Sequence, residues 1–438
     1  MKNKILFSAL CCLSISNSAI ASQMLTISDA YKLGLENSNV MRSANYQLKA
    51  NKEKVNQVKA EFYPQINGTV IHSKTDYEIN KLIQTPEPKI SETITEYKVT
   101  LTQPIYNPQT LAKVGIEKTR LKLFDIKVNI EKQELAKTVL KIYLDILKST
   151  NRIALLDSYS DYYKYKLEAI QNRYKVNLSN KMDLLQSKLE YSTSKLELKK
   201  EKNLLKVYKL KLSNIIGKSD FILPTLNGAK LDTKIVDKII TIVKDKSDFN
   251  SNLEIQQALK GVEISKYDIK NSFAGHLPSV NLDGSYSKYD TDDKTVDYDN
   301  TKKIMLSVKI PIYQGGYTSS KIEASKLNLR AAKEDLIEIE NDIKARYKEQ
   351  MTLLNSAVES ISLYKETLAS SELYLESISV GYQNGLKSII DLYDARNKLF
   401  DVKYQYIENS YIMMDSYIGL LTITNNFEQL KLLDEVLQ

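Results

Sequence analysis

Two aspartates three residues apart, Asp391 and Asp394, are the side chains best placed to do something chemical. On a helix, this i, i+3 spacing puts both carboxylates on one face. Two roles fit that face. Ser388 stands three residues before Asp391, the spacing of a capping box, and Asp suits the first turn of a helix through the macrodipole. Alternatively, the face repeats around a symmetry axis and crowds carboxylates into one constriction. Like charges that close raise some of their pKa values, and rings of Asp select for cations.

Covalent and metal chemistry find little support. The only cysteines are Cys11 and Cys12, inside an N-terminal stretch with Lys2, Lys4, an apolar run from Ile5 to Leu13, and Ala19-Ile20-Ala21 before Ser22. That stretch reads as a signal peptide at 1–21 with an A-x-A cleavage site. A lipoprotein signal at Cys11 is the alternative, but Leu10 stands where a small residue is wanted. Cleavage would leave no cysteine for disulfides, thiolate chemistry or zinc. The two histidines, His72 and His276, are far apart and outside any Cys or His cluster. No nucleophile–base constellation appears, so the chain does not read as an enzyme. The net charge of +8 comes without a basic tract interleaved with aromatics, so the lysines read as a solvated surface and nucleic acid is not expected.

The elements that must position the two aspartates are very long. Gly and Pro number 13 and 8 in 438 residues, which is low, and neither occurs from Ile116 to Ile216. Tyr317–Val380 and Leu386–Ile418 are similarly uninterrupted. A helix of about 64 residues would span roughly 95 Å, far more than a globular core needs. Apolar residues recur at threes and fours (Ile322, Leu327, Leu329, Leu336, Ile339, Ile343), as in coiled coils. Turn-forming residues near Asn177–Asn180 and Asn384–Gly385 predict that each long element folds back as an antiparallel hairpin.

These hairpins belong to an internal repeat of about 208 residues. Pro64, Pro104, Tyr174 and Asp183 recur as Pro278, Pro311, Tyr382 and Asp391. The resulting plan is a first repeat at 22–217, a linker or equatorial collar at 218–247, a second repeat at 248–424 and a tail at 425–438. The collar includes an amphipathic segment, Asp232–Val243.

Each repeat also carries two alternating segments. Ile66, Gly68 and Val70 alternate with Gln65, Asn67 and Thr69; Tyr97, Val99 and Leu101 alternate with Lys98 and Thr100. Val280, Leu282 and Tyr286 do the same, as do Ile304, Leu306 and Val308. Such alternation fits transmembrane barrel strands, or half-exposed hairpins of a soluble domain. The signal peptide and the tyrosines near strand ends (Tyr63, Tyr77, Tyr106, Tyr289, Tyr313) favour the membrane. Four strands cannot close a barrel, and open edges are not tolerated in lipid. Two copies give eight strands, which side chains fill; three give twelve and a lumen. The expectation is a homotrimer. The connecting loops, about Thr75–Glu92 and Ser287–Lys302, would face outside the cell. They carry Pro86, Pro88 and the acidic run Asp290, Asp292, Asp293, Asp297 and Asp299.

Four stretches stand out: "LTISDAYKLGLENS" at Leu25–Ser38, "EFYPQI", "PIYQGG" at Pro311–Gly316, and "VGYQNGLKSIIDLYDARNKLFDVKYQY" at Val380–Tyr406. Through them the sequence resembles the TolC family of outer-membrane exit ducts. It extends over essentially the whole chain after the signal peptide. It implies a mainly α fold with β: a trimeric twelve-stranded β-barrel, four strands per protomer, continued by a long α-helical coiled-coil tunnel across the periplasm. It implies a passive channel for small toxic compounds or a secreted protein, with no enzymatic activity and no cofactor. Its partners would be a periplasmic adaptor and an inner-membrane pump, with outer-membrane lipid around the barrel. A periplasmic coiled-coil spacer without a pore is the alternative.

The resemblance also assigns residues. Asp391 and Asp394 match the family's paired gate aspartates. Tyr382 and Lys387 on one hairpin, with Asp183 on the other, match a latch that holds the tunnel shut. Lys387 stands where Arg is usual, and a point charge lacks Arg's bidentate fork. A plain surface ion pair is the alternative for these three. The turns Val176, Asn177, Leu178, Ser179 and Gly385, Leu386, Ser388 match the tips that meet the adaptor. Asn177 stands where Gly is usual, and Asn tolerates a left-handed backbone. Simple helix-reversing turns are the alternative.

Overall fold

The structure is a computed structural model, and it describes residues 24–77, 90–224, 238–242, 249–291, 300–430, 432–433 and 435. The signal-peptide stretch, both loop tips with Pro86, Pro88, Asp292, Asp293, Asp297 and Asp299, and most of the collar segment lie outside the described residues.

The Gly/Pro-poor stretches are helices of the expected length. In chain order they run α1 (Ile27–Asn37), α2 (Asn39–Ala60), β1 (Gln65–Tyr77), β2 (Ile90–Tyr106), α3 (Pro108–Lys175) and α4 (Lys181–Ile216). The second half follows with α5 (Leu253–Phe273), β3 (Ser279–Thr291), β4 (Asn300–Lys309), α6 (Tyr317–Gln383) and α7 (Ile389–Ile423). The 68 residues of α3 make a rod of roughly 100 Å. Pro108 opens it, where a missing N–H costs nothing. Gly217 ends the α4 side of the first hairpin in a left-handed conformation, φ +71°.

The sheet is antiparallel in the order β1-β2-β3-β4. Its two faces differ. Cross-strand rows such as Ile66–Leu101–Gly284–Ile304 and Val280–Val308 make one face apolar. On the other face, Thr102 and Ser307 both donate to the Asp283 carboxylate, at 3.0 and 3.2 Å, and Ser287 donates to Glu96 at 2.9 Å. Polar groups therefore satisfy one another on one side. The apolar side stays uncovered, with Ile304 at 84% exposure and Ile66 at 68%. That division is what a barrel between lipid and a wet lumen requires. Pro104 sits at a register shift in β2, beyond the reach of β1, whose pairing starts at Thr102. Its lack of an N–H therefore breaks no ladder bond on that side.

Every strand is continuous with one helix: α2 with β1, β2 with α3, α5 with β3, and β4 with α6. The helices pack side by side in the same order, α2–α3–α5–α6. Further along, the row becomes α4–α3–α7–α6. The main core forms where the two rows meet, at the middle of α3. Val139, Leu140, Tyr143 and Leu147 are sealed there against Leu212 and Ile216 of α4, Leu354 of α6 and Tyr417 and Leu421 of α7. Each such side chain contributes about 1.5–3 kcal/mol. Both repeats close on an asparagine amide: Asn37 Nδ2 donates to the Ile216 carbonyl at 2.7 Å, and Asn252 Nδ2 to the Ile423 carbonyl at 2.9 Å. The short helical piece at 238–242 contributes Ile239 to this core, placing that part of the 218–247 segment at mid-length. Among the described residues, no helix is long and apolar enough to cross a membrane.

Candidate functional site

The two hairpin turns sit at the ends of α3 and α6 and are the same structure built twice. In the first, Asn177 is left-handed, φ +55°, and the Leu178 amide donates to the Arg173 carbonyl at 2.8 Å. In the second, Gly385 is left-handed, φ +75°, and the Leu386 amide donates to the Gly381 carbonyl at 2.8 Å. The Asn177 and Gly385 amides reach the Tyr174 and Tyr382 carbonyls. Both are Schellman endings, which satisfy the orphan carbonyls of a helix end. They leave Val176, Leu178 and Leu386 pointing outward, with Leu386 at 80% exposure.

The return helices start on side-chain caps. Asn180 Oδ1 accepts from the Asp183 amide at 2.8 Å, and Ser388 Oγ accepts from the Asp391 amide at 3.1 Å. Only the second is a reciprocal box: the Asp391 carboxylate also accepts from the Ser388 amide and hydroxyl, both at 2.8 Å. Those bonds from Ser388, side chain then backbone, hold the Asp391 carboxyl below the usual range, with Lys387 adding to the effect.

Asp394 lies one turn further and is exposed; among the described residues its carboxylate has no hydrogen bond or ion pair. Leu392, Tyr393 and Ala395 turn inward, Leu392 and Ala395 onto Ile378 of α6, Tyr393 onto α3. This leaves Asp391 and Asp394 on a face of α7 turned away from its own protomer.

The three latch candidates share this end of the molecule but do not meet within one chain. Asp183 accepts from the Ser179 hydroxyl at 3.2 Å. Lys387 folds back over Gly381, where a Cβ would lie 2.8 Å from its Cγ. Tyr382 is exposed. Among the described residues neither Tyr382 nor Lys387 bonds Asp183.

Behind the tips lies a cluster that the sequence reading missed. Tyr159, Tyr162 and Tyr163 of α3 meet Tyr393, Asn397 and Phe400 of α7. Tyr159 stacks on Phe400 at 4.1 Å, and its hydroxyl donates to Asn397 Oδ1 at 3.0 Å. Tyr162 and Tyr393 meet edge-on at 4.9 Å. Arg396 lies over Tyr162 at 4.9 Å, and Lys166 over Tyr393 at 4.2 Å. Lys166 also pairs with Glu190, which ties in α4. Burial pushes the Tyr159, Tyr162 and Tyr393 phenols up, so all stay neutral. Among the described residues, the buried Tyr162 and Tyr393 hydroxyls have no hydrogen-bond partner. The signal was the i, i+3, i+4 tyrosine spacing in "YSDYYKYK".

Comparison with known proteins matches residues 30–218 and 249–426 to the outer membrane efflux protein family. The chain belongs to that family. Outer membrane protein TolC of Escherichia coli (strain K12) is 22% identical over 428 residues, covering 93% of this chain and 85% of that protein. The proteases secretion protein PrtF of Dickeya chrysanthemi is 22% identical over 419 residues, covering 90% and 88%. The crystal structure of the Campylobacter jejuni CmeC outer membrane channel superposes with a TM-score of 0.73 at 15% identity, covering 97% and 93%. Its fold, barrel strands continued by a helical tunnel, is therefore shared. As a member, the chain is an exit duct of the outer membrane.

Proposed function

We propose that three copies close this duct, and that its periplasmic tips both gate it and dock its partners. The free edges support closure. β1 and α2 bound one side of the protomer, β4 and α6 the other. An apolar stripe on α4, with Met182, Leu185, Leu189, Leu196, Val207 and Leu210 all exposed, has nothing to cover it in a single chain. A neighbouring protomer would cover it and complete twelve strands and twelve helices. The single observation that carries the reading is the strand-to-helix continuity in matching order, with a polar and an apolar face.

In this trimer the Asp394 carboxylates, free of local partners, form the inner ring that attracts cations and narrows the aperture. The Asp391 carboxylates lie beside them and serve chiefly as caps. Tyr382 and Lys387 latch onto Asp183 across protomers, since the three do not meet within one. Val176, Asn177, Leu178 and Ser179, with Gly385, Leu386 and Ser388, dock a helical hairpin of a periplasmic adaptor that couples the duct to an inner-membrane pump. The duct is passive and does no catalysis, and it serves efflux of small toxic compounds or type I secretion of a protein.

The test is conductance of purified trimers in planar bilayers. Tyr382→Phe with Lys387→Ala should raise single-channel conductance several-fold, and Asp394→Ala should reduce cation preference. A soluble trimer without conductance would overturn the duct. Intact trimers with unchanged conductance would overturn the latch.

A further inference from the structure

A groove of about 840 Å³ lies where α3, α5 and α6 leave the sheet, within the size range of ligand sites, about 300–1,000 Å³. Leu111, Tyr267, Phe273 and Ile322 supply its apolar wall, and Lys270 and Lys326 its rim. Leu111 follows β2 by one turn of helix, and Phe273 precedes β3 by six residues, so the groove sits at the foot of the strands.

The chain that joins β4 to α6, the helix forming one wall of the groove, is apolar and exposed: Ile310 follows the strand's last residue, Lys309, and Ile312, Tyr313 and Tyr317 come after it. Phe273 and Leu111 stay exposed at 52% and 57%. Aromatic residues at this level mark a membrane interface. The rim has the complementary charge. Lys270 stands 5.0 Å over the Tyr267 ring and, among the described residues, pairs with no carboxylate. Lys326 has only an exposed contact to Glu323 at 3.3 Å. The groove is also held open by design of the backbone: Gly115 leaves room for Tyr267, whose ring a Cβ would approach to 2.4 Å.

We propose that this groove binds one anionic phospholipid of the periplasmic leaflet, an acyl chain along Leu111 and Phe273 and the phosphate between Lys270 and Lys326. A basic pocket opening onto a helical apolar groove is the chemistry that recognises such headgroups. A single ordered lipid at each protomer would fill the concavity left where a round barrel of strands passes into a layer of helices. The inference rests on the outer-membrane reading above.

The experiment uses full-length trimers in phosphatidylcholine vesicles, titrated with spin-labelled phosphatidylglycerol. The expected result is a saturable, motionally restricted component of about one lipid per protomer, which inorganic phosphate does not displace. Lys270→Glu with Lys326→Glu should weaken it about tenfold, and so should Phe273→Ser; spin-labelled phosphatidylcholine should show no saturable component. Restricted lipid that is equal for both headgroups, or unaltered by the lysine substitutions, would overturn the proposal. So would a Phe273→Cys trimer that crosslinks to a neighbouring protomer at this position, because the groove would then be filled by protein. Conductance of the same trimers separates the two readings: conducting trimers without selective lipid leave the duct standing and remove only the lipid site.

Discussion

The two hairpin tips share a backbone and differ in chemistry. Arg173, Asn177, Leu178, Asn180 and Asp183 occupy the places of Gly381, Gly385, Leu386, Ser388 and Asp391, each 208 residues on. Both ends carry a left-handed residue at the same place, Asn177 or Gly385, and the same long-range amide bond. Only the second tip has Gly at both critical positions and a reciprocal capping box. The two tips thus share the reversal of the chain and differ in the side chains built on it. The first tip presents a carboxylate that, among the described residues, accepts from the Ser179 hydroxyl alone; the second presents a lysine laid over a glycine.

If the backbones are equivalent, a β-branched residue should harm both alike. Gly385→Val and Asn177→Val each force an unfavourable φ, at a cost of about 1–3 kcal/mol. Amide exchange at Leu386 and Leu178 reads this locally, each amide losing ten-fold or more of its protection. A much smaller loss at one tip would break the equivalence.

The caps should differ by degree. Ser388→Ala and Asn180→Ala each remove an N-cap, at about 0.5–2 kcal/mol, and Ser388→Ala should cost more because it removes two bonds of Ser388 Oγ, the one accepted from the Asp391 amide and the one donated to the Asp391 carboxylate. Acid separates the tips as well. The Asp391 carboxyl titrates below its ordinary range because Ser388 bonds its charged form. Its stabilisation is full above the unfolded pKa, near 3.9, and is lost as pH falls through the lower folded value. Exchange of the Ser388 amide should therefore accelerate below about pH 4, and Asp391→Asn should show the fast exchange at every pH.

About four turns up α3 from its tip, the tyrosine cluster makes a similar contrast within one seam. Tyr159 has a bonded hydroxyl and Tyr162 an unpartnered one. Tyr159→Phe should cost about 1 kcal/mol, whereas Tyr162→Phe should be neutral or stabilising, since it removes a buried group without a partner. Thermal dissociation of the trimer compares them.

The helices, strands and repeat were legible because period and punctuation are local: the run without Gly or Pro is a rod, and alternation is a strand. The shared face of Asp391 and Asp394 was legible for the same reason, since i, i+3 spacing fixes its geometry. Tyr382, Lys387 and Asp183 were paired by the resemblance and not by spacing, and among the described residues neither Tyr382 nor Lys387 bonds Asp183 within one chain. The tyrosine seam was also hidden. Tyr162 and Tyr393 are 231 residues apart, and only the packing of α3 on α7 makes neighbours of them. Reading the tyrosines as interface anchors fitted those near strand ends and passed over these.

Gly381 sharpens the comparison at less energetic cost. Gly381→Ala should change helix stability little, because better helix propensity, about 1 kcal/mol, offsets the crowding of Lys387 Cγ. Its effect should appear in conductance, since Lys387 must leave its place over the helix end. Arg173→Ala, at the equivalent position of the first tip, should leave conductance unchanged. If both are silent, the lysine's position does not govern the aperture.

The smallest effect tests why the first tip keeps Asn. Asn177→Gly relieves a left-handed side chain, a gain near 1 kcal/mol by the steric penalty. It also gives the unfolded chain more freedom to lose, which returns about 0.5–1 kcal/mol. The two nearly cancel, so protection of the Leu178 amide should shift less than three-fold. Stability therefore gives no reason to prefer Asn over Gly at this turn. If Asn177→Gly nonetheless weakens adaptor capture in crosslinking while Leu178 protection holds, the Asn177 amide is a docking contact rather than a turn former. The two tips then offer the adaptor different surfaces on one shared backbone.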